Sequence, residues 1–375
     1  SDGNPIQNLF FAVTVGDEWL QAMVDGDRDK RALWARVLQA RSEVGLPYVL
    51  FEGNANRGRP DAYVQQDLTI RSSNLCSEIM LPVSEDESFV CDLSSMNLLY
   101  FDEWKDTDAV ELLVCFLDAV MSEFIEKAAA IPRFERAVRF AERHRALGVG
   151  VLGWHSYLQA NMVPLGSLQA AMLNRQVFRT IRDAAEAASV DLAKRYGEPE
   201  VLAGFGRRNA TLTAVAPTTS SSFILGQVSP SIEPLRSNYY VRDLAKSTTT
   251  FRNPALRRLL AEKGADTPAT WRSVLEHDGS VQHLDVLTDE EKRVFATFPE
   301  VSQLDLVVQA GQRQEFIDQG QSLNLMVHPD TPTADLNRLH LEAWERGVKS
   351  LYYQHSVNAA QAFNRDLLTC SACEA

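Results

Sequence analysis

The segment from Ser72 to Met80 reads SSNLCSEIM and spaces Asn74, Cys76 and Glu78 two residues apart. Turn-type residues precede it, which favours an extended or loop segment over a helix. Alternate side chains of an extended segment point the same way, so we expect an amide, a thiol and a carboxylate on one face. Such a set indicates a reaction centre. The alternative is a buried thiol beside a polar strand edge, because cysteine is commonly buried.

The composition restricts the classes of partner. The chain has 375 residues, a net charge of −13 and five cysteines. The acidic balance argues against binding nucleic-acid backbones, which takes clustered Lys and Arg. No apolar run reaches the roughly 18 residues that span a bilayer, so no membrane partner is predicted. An odd cysteine count without a dense framework indicates a reducing compartment, and we expect a cytoplasmic protein.

Predicted strands alternate with predicted helices, which indicates an α/β fold. Residues 54–61 are predicted to form a loop, and Cys115 is assigned to the core-facing side of its helix. The predicted helices cover 17–44 with a break near Gly26, 108–130, 134–145, 168–196 and 334–346. The predicted strands cover 48–51, 89–93, 211–215, 323–327 and 348–353.

Two loops carry the signals of anion and nucleotide sites. After the strand over 211–215 comes PTTSSS, Pro217 to Ser222. If a helix follows, its free N–H groups and the hydroxyls form an anion site; the alternative is a polar loop with a helix cap. Residues 148–153 match G-x-G-x-x-G, but no Asp or Glu occurs from His155 through Ile181. A dinucleotide site is therefore rejected, and these glycines are expected to permit close packing.

The last part of the chain carries two redox candidates. Tyr352 and Tyr353 lie on a predicted strand, where they are either packing aromatics or phenols oxidised by one electron. Cys370 and Cys373 form a C-x-x-C pair without the further ligands that a zinc site takes, so we interpret them as a dithiol. No motif predicts a metal site. The 17 residues from Tyr353 to Cys370 reach at most roughly 55–60 Å.

Six segments, in order along the chain, resemble the large catalytic subunit of class I ribonucleotide reductase. They are SNLCSEIMLP, FVCDLSSMNL, RALGVGVLGW, RNATLTAVAPTTSSS, GVKSLYYQ and the terminal CSAC. The resemblance implies the C-terminal half of a ten-stranded α/β barrel, with a finger loop carrying the thiyl cysteine. It divides the chain into a barrel part, 1–353, and a flexible redox tail, 354–375.

The resemblance also implies a role for each candidate residue. Cys76 would become the thiyl radical, Glu78 would be the base on the 3′ hydroxyl, and Cys91 would be half of the reducing dithiol. The other implied roles are sugar binding by Ser73 and Asn74, diphosphate binding by Pro217, Thr218, Thr219, Ser220, Ser221 and Ser222, radical transfer by Tyr352 and Tyr353, and re-reduction of the active-site disulfide by Cys370 and Cys373.

The implied function is reduction of ribonucleoside diphosphates for DNA precursor synthesis. No cofactor is expected on this chain, because a small subunit with a dinuclear metal would supply the radical. The implied partners are that small subunit, thioredoxin or glutaredoxin, and the nucleotide substrate.

One feature departs from the family. No cysteine precedes Cys76, although the second cysteine of the reducing pair lies upstream in the family. We therefore expect the C-terminal piece of a large subunit divided by a split gene, an intein or truncation, with an N-terminal fragment as obligate partner. A phage-encoded chain would act in the host cytoplasm. The alternatives are an inactive half-barrel scaffold that binds a partner chain, and a thiol oxidoreductase that uses only Cys370 and Cys373.

Overall fold

The computed structural model describes residues 9–244 and 247–356, in which helices and strands alternate as the α/β class predicts. The strands are β1 Ala12–Val15, β2 Tyr48–Phe51, β3 Leu93–Asn97, β4 Gly148–Leu152, β5 Tyr239–Leu244, β6 Ser247–Arg252, β7 Leu325–Met326, β8 Ser350–Leu351 and β9 Gln354–His355. The helices are α1 Asp17–Asp25, α2 Arg28–Val44, α3 Glu52–Arg57, α4 Asp61–Gln65, α5 Phe101–Trp104, α6 Ala109–Ala128, α7 Glu135–His144, α8 Trp154–Ala160, α9 Leu168–Tyr196, α10 Thr219–Ile224, α11 Pro254–Glu262, α12 Pro268–Glu276, α13 Asp289–Val294, α14 Gln303–Gln314 and α15 Thr333–Glu345.

The strands of the described ranges form several small sheets and do not close into a barrel. A three-stranded sheet has the order β1-β2-β8, in which β1 and β2 are parallel and β8 is antiparallel to β2. β3 pairs in parallel with β4, β7 pairs in parallel with β9, and β5 and β6 form an antiparallel hairpin. Parallel pairs joined through helices are the pattern expected of part of an α/β barrel.

The ladder of β3 and β4 extends through two single bridges. Val149 bridges Thr213, and Val215 bridges Gln321. Close approach at β4 needs glycine, because a Cβ on Gly150 would lie 2.4 Å from the carbonyl oxygen of Ala214. The close packing predicted for the glycine-rich segment is therefore confirmed. The predicted strand over 211–215 is reduced to these bridges.

Several helix boundaries agree with the prediction. The break near Gly26 separates α1 from α2, and α9 covers Leu168–Tyr196 as predicted. Two predictions are wrong. Residues 54–61 are largely helical, because α3 continues directly from β2 through Arg57 and α4 begins at Asp61. Cys115 is exposed, since α6 buries its 110, 114, 117 and 121 positions instead.

The main hydrophobic core lies between the small sheets and the helices that pack on them. Trp154 and Phe51 are among its fully buried side chains, and the cluster includes residues from β1 to β8. Helix α9 packs against both α6 and α14, and α15 packs against α2 and α14. Among the described helices, none is both long and apolar enough to cross a bilayer.

Candidate active site

A tight turn, rather than an extended strand, brings Asn74, Cys76 and Glu78 together. The amide of Ser77 donates to the carbonyl of Asn74 at 3.2 Å, and Ser77 has a φ of +68°. The Asn74 side chain accepts from the amide of Ile79 at 3.0 Å, which closes the turn. The segment is a loop, one of the two forms predicted, but its side chains do not alternate along an extended strand; the turn itself brings the Asn74 side chain to the Glu78 carboxyl. The hydroxyl of Ser73 donates to the Asn74 carbonyl at 3.1 Å.

The segment around Gly320 packs against this turn and hydrogen-bonds to it. The amide of Gly320 donates to the Glu78 carbonyl at 2.7 Å, and the amide of Met80 donates to the Gln319 side chain at 3.0 Å. Any Cβ at Gly320 would lie 2.7 Å from the Met80 side chain. Ser350 holds the turn from β8 by donating to the Ser77 carbonyl at 2.8 Å. The turn is thus anchored to two distant parts of the chain.

Glu78 is a buried carboxyl with polar partners. It is 2% exposed, and burial raises its pKa, opposed by hydrogen bonds with the Asn74 and Ser322 side chains. The Ser322 hydroxyl lies 3.2 Å from Glu78 Oε2 and 2.6 Å from the Cys76 carbonyl oxygen. A carboxylate with a raised pKa is a better proton acceptor than an exposed one, so the environment suits a general base.

Cys91 lies close to both Cys76 and Glu78. Solvent reaches its side chain, yet the surrounding protein desolvates the thiolate, and the Glu78 carboxylate and Cys76 thiol oppose a further negative charge. Together these effects raise the pKa of Cys91 to about 12. The thiol is therefore protonated at neutral pH. Cys91 precedes β3 in an irregular segment, so the predicted strand over 89–93 is wrong; the regular strand begins at Leu93.

Tyr352 and Tyr353 pack against each other between β8 and β9 rather than within one strand, and their ring planes are tilted by 59°. Their ring centroids are 4.5 Å apart. The Tyr352 hydroxyl is within hydrogen-bonding reach of the Cys76 thiol, and burial together with Cys76 raises the pKa of Tyr352 well above its usual range. A continuous path of contacts therefore runs from Tyr353 through Tyr352 to Cys76.

A third tyrosine, Tyr48 on β2, completes an aromatic cluster. Its ring centroid lies 4.7 Å from that of Tyr352 and 5.0 Å from that of Tyr353. The buried hydroxyl of Tyr48 faces the hydroxyls of Tyr352 and Tyr353, and burial together with these two groups raises the pKa of Tyr48. The Tyr48 hydroxyl makes no hydrogen bond of regular geometry to any described residue. In the sequence Tyr48 reads only as a buried strand residue.

The hydroxyl-rich loop begins beside the same site. Val215 bridges Gln321, whose neighbour Ser322 contacts Cys76 and Glu78, and Pro217 follows two residues after the bridge. α10 starts inside the run at Thr219, with Thr218 as its N-cap at a φ of +53°. Thr219, Ser220 and Ser221 are exposed, whereas Ser222 is buried and its hydroxyl lies 3.0 Å from that of Thr218. The helix that the anion-site prediction calls for therefore begins within the hydroxyl run, whereas the strand before it is reduced to single bridges.

Sequence reasoning missed Ser322, because a serine in the run GQSLN has no distinctive signal. Cys370 and Cys373 lie outside the described residues, so their predicted dithiol role stays a prediction.

Comparisons with known proteins identify relatives for most of the chain. The ribonucleotide reductase barrel domain matches residues 15–205 and 199–354. The ribonucleoside-diphosphate reductase large subunit of Invertebrate iridescent virus 3 is 44% identical over 328 residues, which cover 86% of this chain and 52% of that protein. A putative large subunit of Frog virus 3 is 41% identical, covering 98% of this chain and 69% of the viral protein.

A solved structure is also similar. The class Id ribonucleotide reductase alpha subunit of Actinobacillus ureae superposes with a TM-score of 0.92 at 59% sequence identity, covering 99% of this chain and 68% of that one. The chain thus spans about half the length of the first viral relative and about two thirds of the other two proteins.

Proposed function

The chain belongs to the ribonucleotide reductase barrel family, and on that premise we propose that it carries the catalytic centre of a ribonucleoside-diphosphate reductase. The observation that carries the proposal is the convergence of Cys76, Glu78, Cys91 and Tyr352 from three separate parts of the chain. A thiol that hydrogen-bonds one member of a packed tyrosine pair, beside a buried carboxyl and a second thiol, suits hydrogen-atom abstraction followed by two-electron reduction.

The radical enters along the tyrosines. Tyr353 and then Tyr352 pass an oxidising equivalent to Cys76, and the Tyr352 phenol gives up an electron and a proton together because burial opposes its anion. The hydrogen bond between Tyr352 and Cys76 provides the last transfer. The Cys76 thiyl then removes the hydrogen atom from C3′ of the ribose and becomes a thiol.

The reduction follows from the protonation states of the site. Glu78 takes the proton of the 3′ hydroxyl, as its raised pKa favours, and Asn74 and Ser73 orient the sugar. Cys91 is protonated at neutral pH, so it supplies a proton to the 2′ hydroxyl, which leaves as water. The second cysteine gives a hydrogen atom to C2′ and bonds to the Cys91 thiolate, and the resulting disulfide radical anion passes one electron to the 3′ ketone and becomes the disulfide. Glu78 returns its proton to the 3′ oxygen, which leaves a radical at C3′. Cys76 returns its hydrogen atom to C3′, which regenerates the thiyl radical.

The remaining residues bind substrate and renew the dithiol. Pro217 and the hydroxyls of Thr218, Thr219, Ser220, Ser221 and Ser222 hold the diphosphate at the start of α10. Cys370 and Cys373 reduce the active-site disulfide and are reduced in turn by thioredoxin or glutaredoxin. The partner cysteine of Cys91 comes from an N-terminal part of the large subunit, and a small subunit supplies the radical. The reaction takes place in the cytoplasm.

The experiment is reduction of CDP to dCDP in a component-dropout series. The chain is assayed with an N-terminal large-subunit fragment, a radical-bearing small subunit and dithiothreitol, and each component is omitted in turn. The proposal predicts dCDP only in the complete mixture. Binding of the fragments without any dCDP would support the inactive scaffold, and dithiol turnover without nucleotide or radical subunit would support a thiol oxidoreductase.

A further inference from the structure

A fully buried arginine lies behind the tyrosine cluster. Arg41, near the C-terminus of α2, is 0% exposed. Burial lowers its pKa to about 9, so the guanidinium is charged at neutral pH. Burying a charge is costly unless hydrogen bonds compensate, and the contacts of Arg41 indicate what its position accomplishes.

Arg41 donates hydrogen bonds in three directions. Its Nη2 donates to the main-chain carbonyl of Tyr352 at 3.1 Å, and its Nη1 donates to the carbonyl of Pro47, the residue before Tyr48. Its Nε lies 3.0 Å from Nε2 of His340 on α15. One rigid guanidinium thus joins α15, the entry to β2 and the backbone of the tyrosine pair.

The imidazole of His340 is set to accept this bond. Its Nδ1 lies 2.8 Å from the carbonyl of Leu336, which can only accept, so Nδ1 carries the hydrogen and Nε2 is free to accept from Arg41. Burial and the Arg41 charge lower the pKa of His340 to about 3, which keeps the ring neutral. Trp34 packs edge-on against the ring at 5.9 Å. The orientation of Arg41 is therefore supported by a second layer of contacts.

A second contact from the same end of α2 holds the next residue of the strand. The amide of Gln354 donates to the Gly45 carbonyl at 3.2 Å, and the Gln354 side chain donates to the Ser42 hydroxyl at 3.0 Å. The C-terminal end of α2 thus hydrogen-bonds to the residues on both sides of Tyr353, namely Tyr352 and Gln354.

We propose that Arg41 is a positioning residue for radical transfer: it holds the backbones of Tyr352 and Tyr48 so that the Tyr352 hydroxyl meets the Cys76 thiol. Transfer between these groups depends on their separation, and a misplacement of about 1 Å can cost about 100-fold in rate. Lysine cannot replace Arg41, because a single ammonium cannot address three acceptors in the plane of a guanidinium fork.

The test compares Arg41→Lys with a matched variant, Arg313→Lys. Arg313 is also buried with a pKa lowered to about 9, but it bonds the carbonyl of Gln309 and packs over Phe178. The first readout is the fluorine NMR signal of 3-fluorotyrosine placed at position 352 in this chain. We expect Arg41→Lys to shift or split this signal and Arg313→Lys to leave it in place.

The second readout is CDP reduction in the complete mixture, and it rests on the proposed function. We expect Arg41→Lys to lower kcat at least ten-fold with KM for CDP unchanged, because Arg41 touches no substrate group, and Arg313→Lys to retain kcat. A fluorine shift specific to Arg41→Lys without reductase activity in any sample would support the positioning role and contradict the proposed function.

Two results would overturn the positioning role. One is a fluorine signal in Arg41→Lys that coincides with that of the parent chain, and the other is an equal shift in Arg313→Lys. If Arg41→Lys does not fold, His340→Phe takes its place, since it removes only the acceptor of Arg41 Nε. The same signal should then move, and an unmoved signal would count against the role.

Discussion

Replacing Ser322 by alanine should change the pH dependence of the proposed reaction. The hydroxyl lies 3.2 Å from Glu78 Oε2, and it opposes the rise in pKa that burial imposes on this carboxyl. A hydrogen bond to a charged group is worth roughly 1.5–3 kcal/mol, and one pKa unit corresponds to about 1.4 kcal/mol. The contact to the Cys76 carbonyl is shorter, at 2.6 Å, and competes for the same proton. The lower end of the range therefore applies, and the pKa of Glu78 should rise by about one unit.

The assay is the pH profile of kcat/KM for dCDP formation. Glu78 acts as a base only when ionised, so a higher pKa moves the acid limb of the profile upward by about one pH unit. Ser350→Ala is the matched control, because Ser350 anchors the same turn at the Ser77 carbonyl without contacting the carboxyl. An unshifted acid limb in Ser322→Ala, or an equal shift in Ser350→Ala, would refute the reasoning.

Three further predictions concern the chain itself. In urea unfolding, Glu78→Gln should be as stable as the parent chain at pH 4 and more stable than the parent at pH 8. The pKa of Glu78 is raised in the folded state, so the parent loses stability as the pH rises from the unfolded-state pKa to the folded-state pKa. Equal stability of the two proteins at pH 8 would count against a buried charge at Glu78. Cys91 should react with iodoacetamide at pH 8 at least about ten-fold more slowly than an ordinary thiol of pKa 9, because its smaller thiolate fraction outweighs the greater nucleophilicity of a basic thiolate; peptide mapping measures the rates, and equal rates would contradict its raised pKa. Tyr48→Phe should leave thermal stability unchanged or slightly higher, because the Tyr48 hydroxyl has no regular hydrogen bond to a described residue. Tyr63→Phe loses a hydrogen bond to His144 and should lower the free energy of unfolding by about 1 kcal/mol. A larger loss of stability in Tyr48→Phe than in Tyr63→Phe would show that the Tyr48 hydroxyl has a partner.

The class of fold and the residues that meet at the site were predicted from the sequence more accurately than the local backbone geometry was. Long amphipathic helices such as α9 were found with correct ends, because their periodicity is strong. The segment around Cys76 was predicted as extended or loop, and the shared face of its side chains was inferred from the extended form. That inference failed because alternation of residue types looks the same in a strand and in a turn such as the one at Ser77. Phe89 to Asp92 alternates in the same way but lies outside any strand.

Contacts between distant segments were beyond sequence reasoning. Ser322 reaches Glu78 across 244 positions, and Arg41 reaches Tyr352 across 311. Neither residue belongs to a motif, and each acquires its role only when the fold brings the segments together. The exposure of Cys115 was misjudged for a related reason: α6 presents a broad apolar surface, and the side that is buried depends on where α9 packs.

The most direct test of the catalytic assignment compares two cysteine variants in the complete reductase mixture. Cys76→Ser removes the thiol that contacts Tyr352, whereas Cys115→Ser changes an exposed thiol on α6 that lies outside the site. The account predicts that dCDP formation from CDP falls to background with Cys76→Ser and is retained with Cys115→Ser. Formation of dCDP by Cys76→Ser at the parent rate would contradict it.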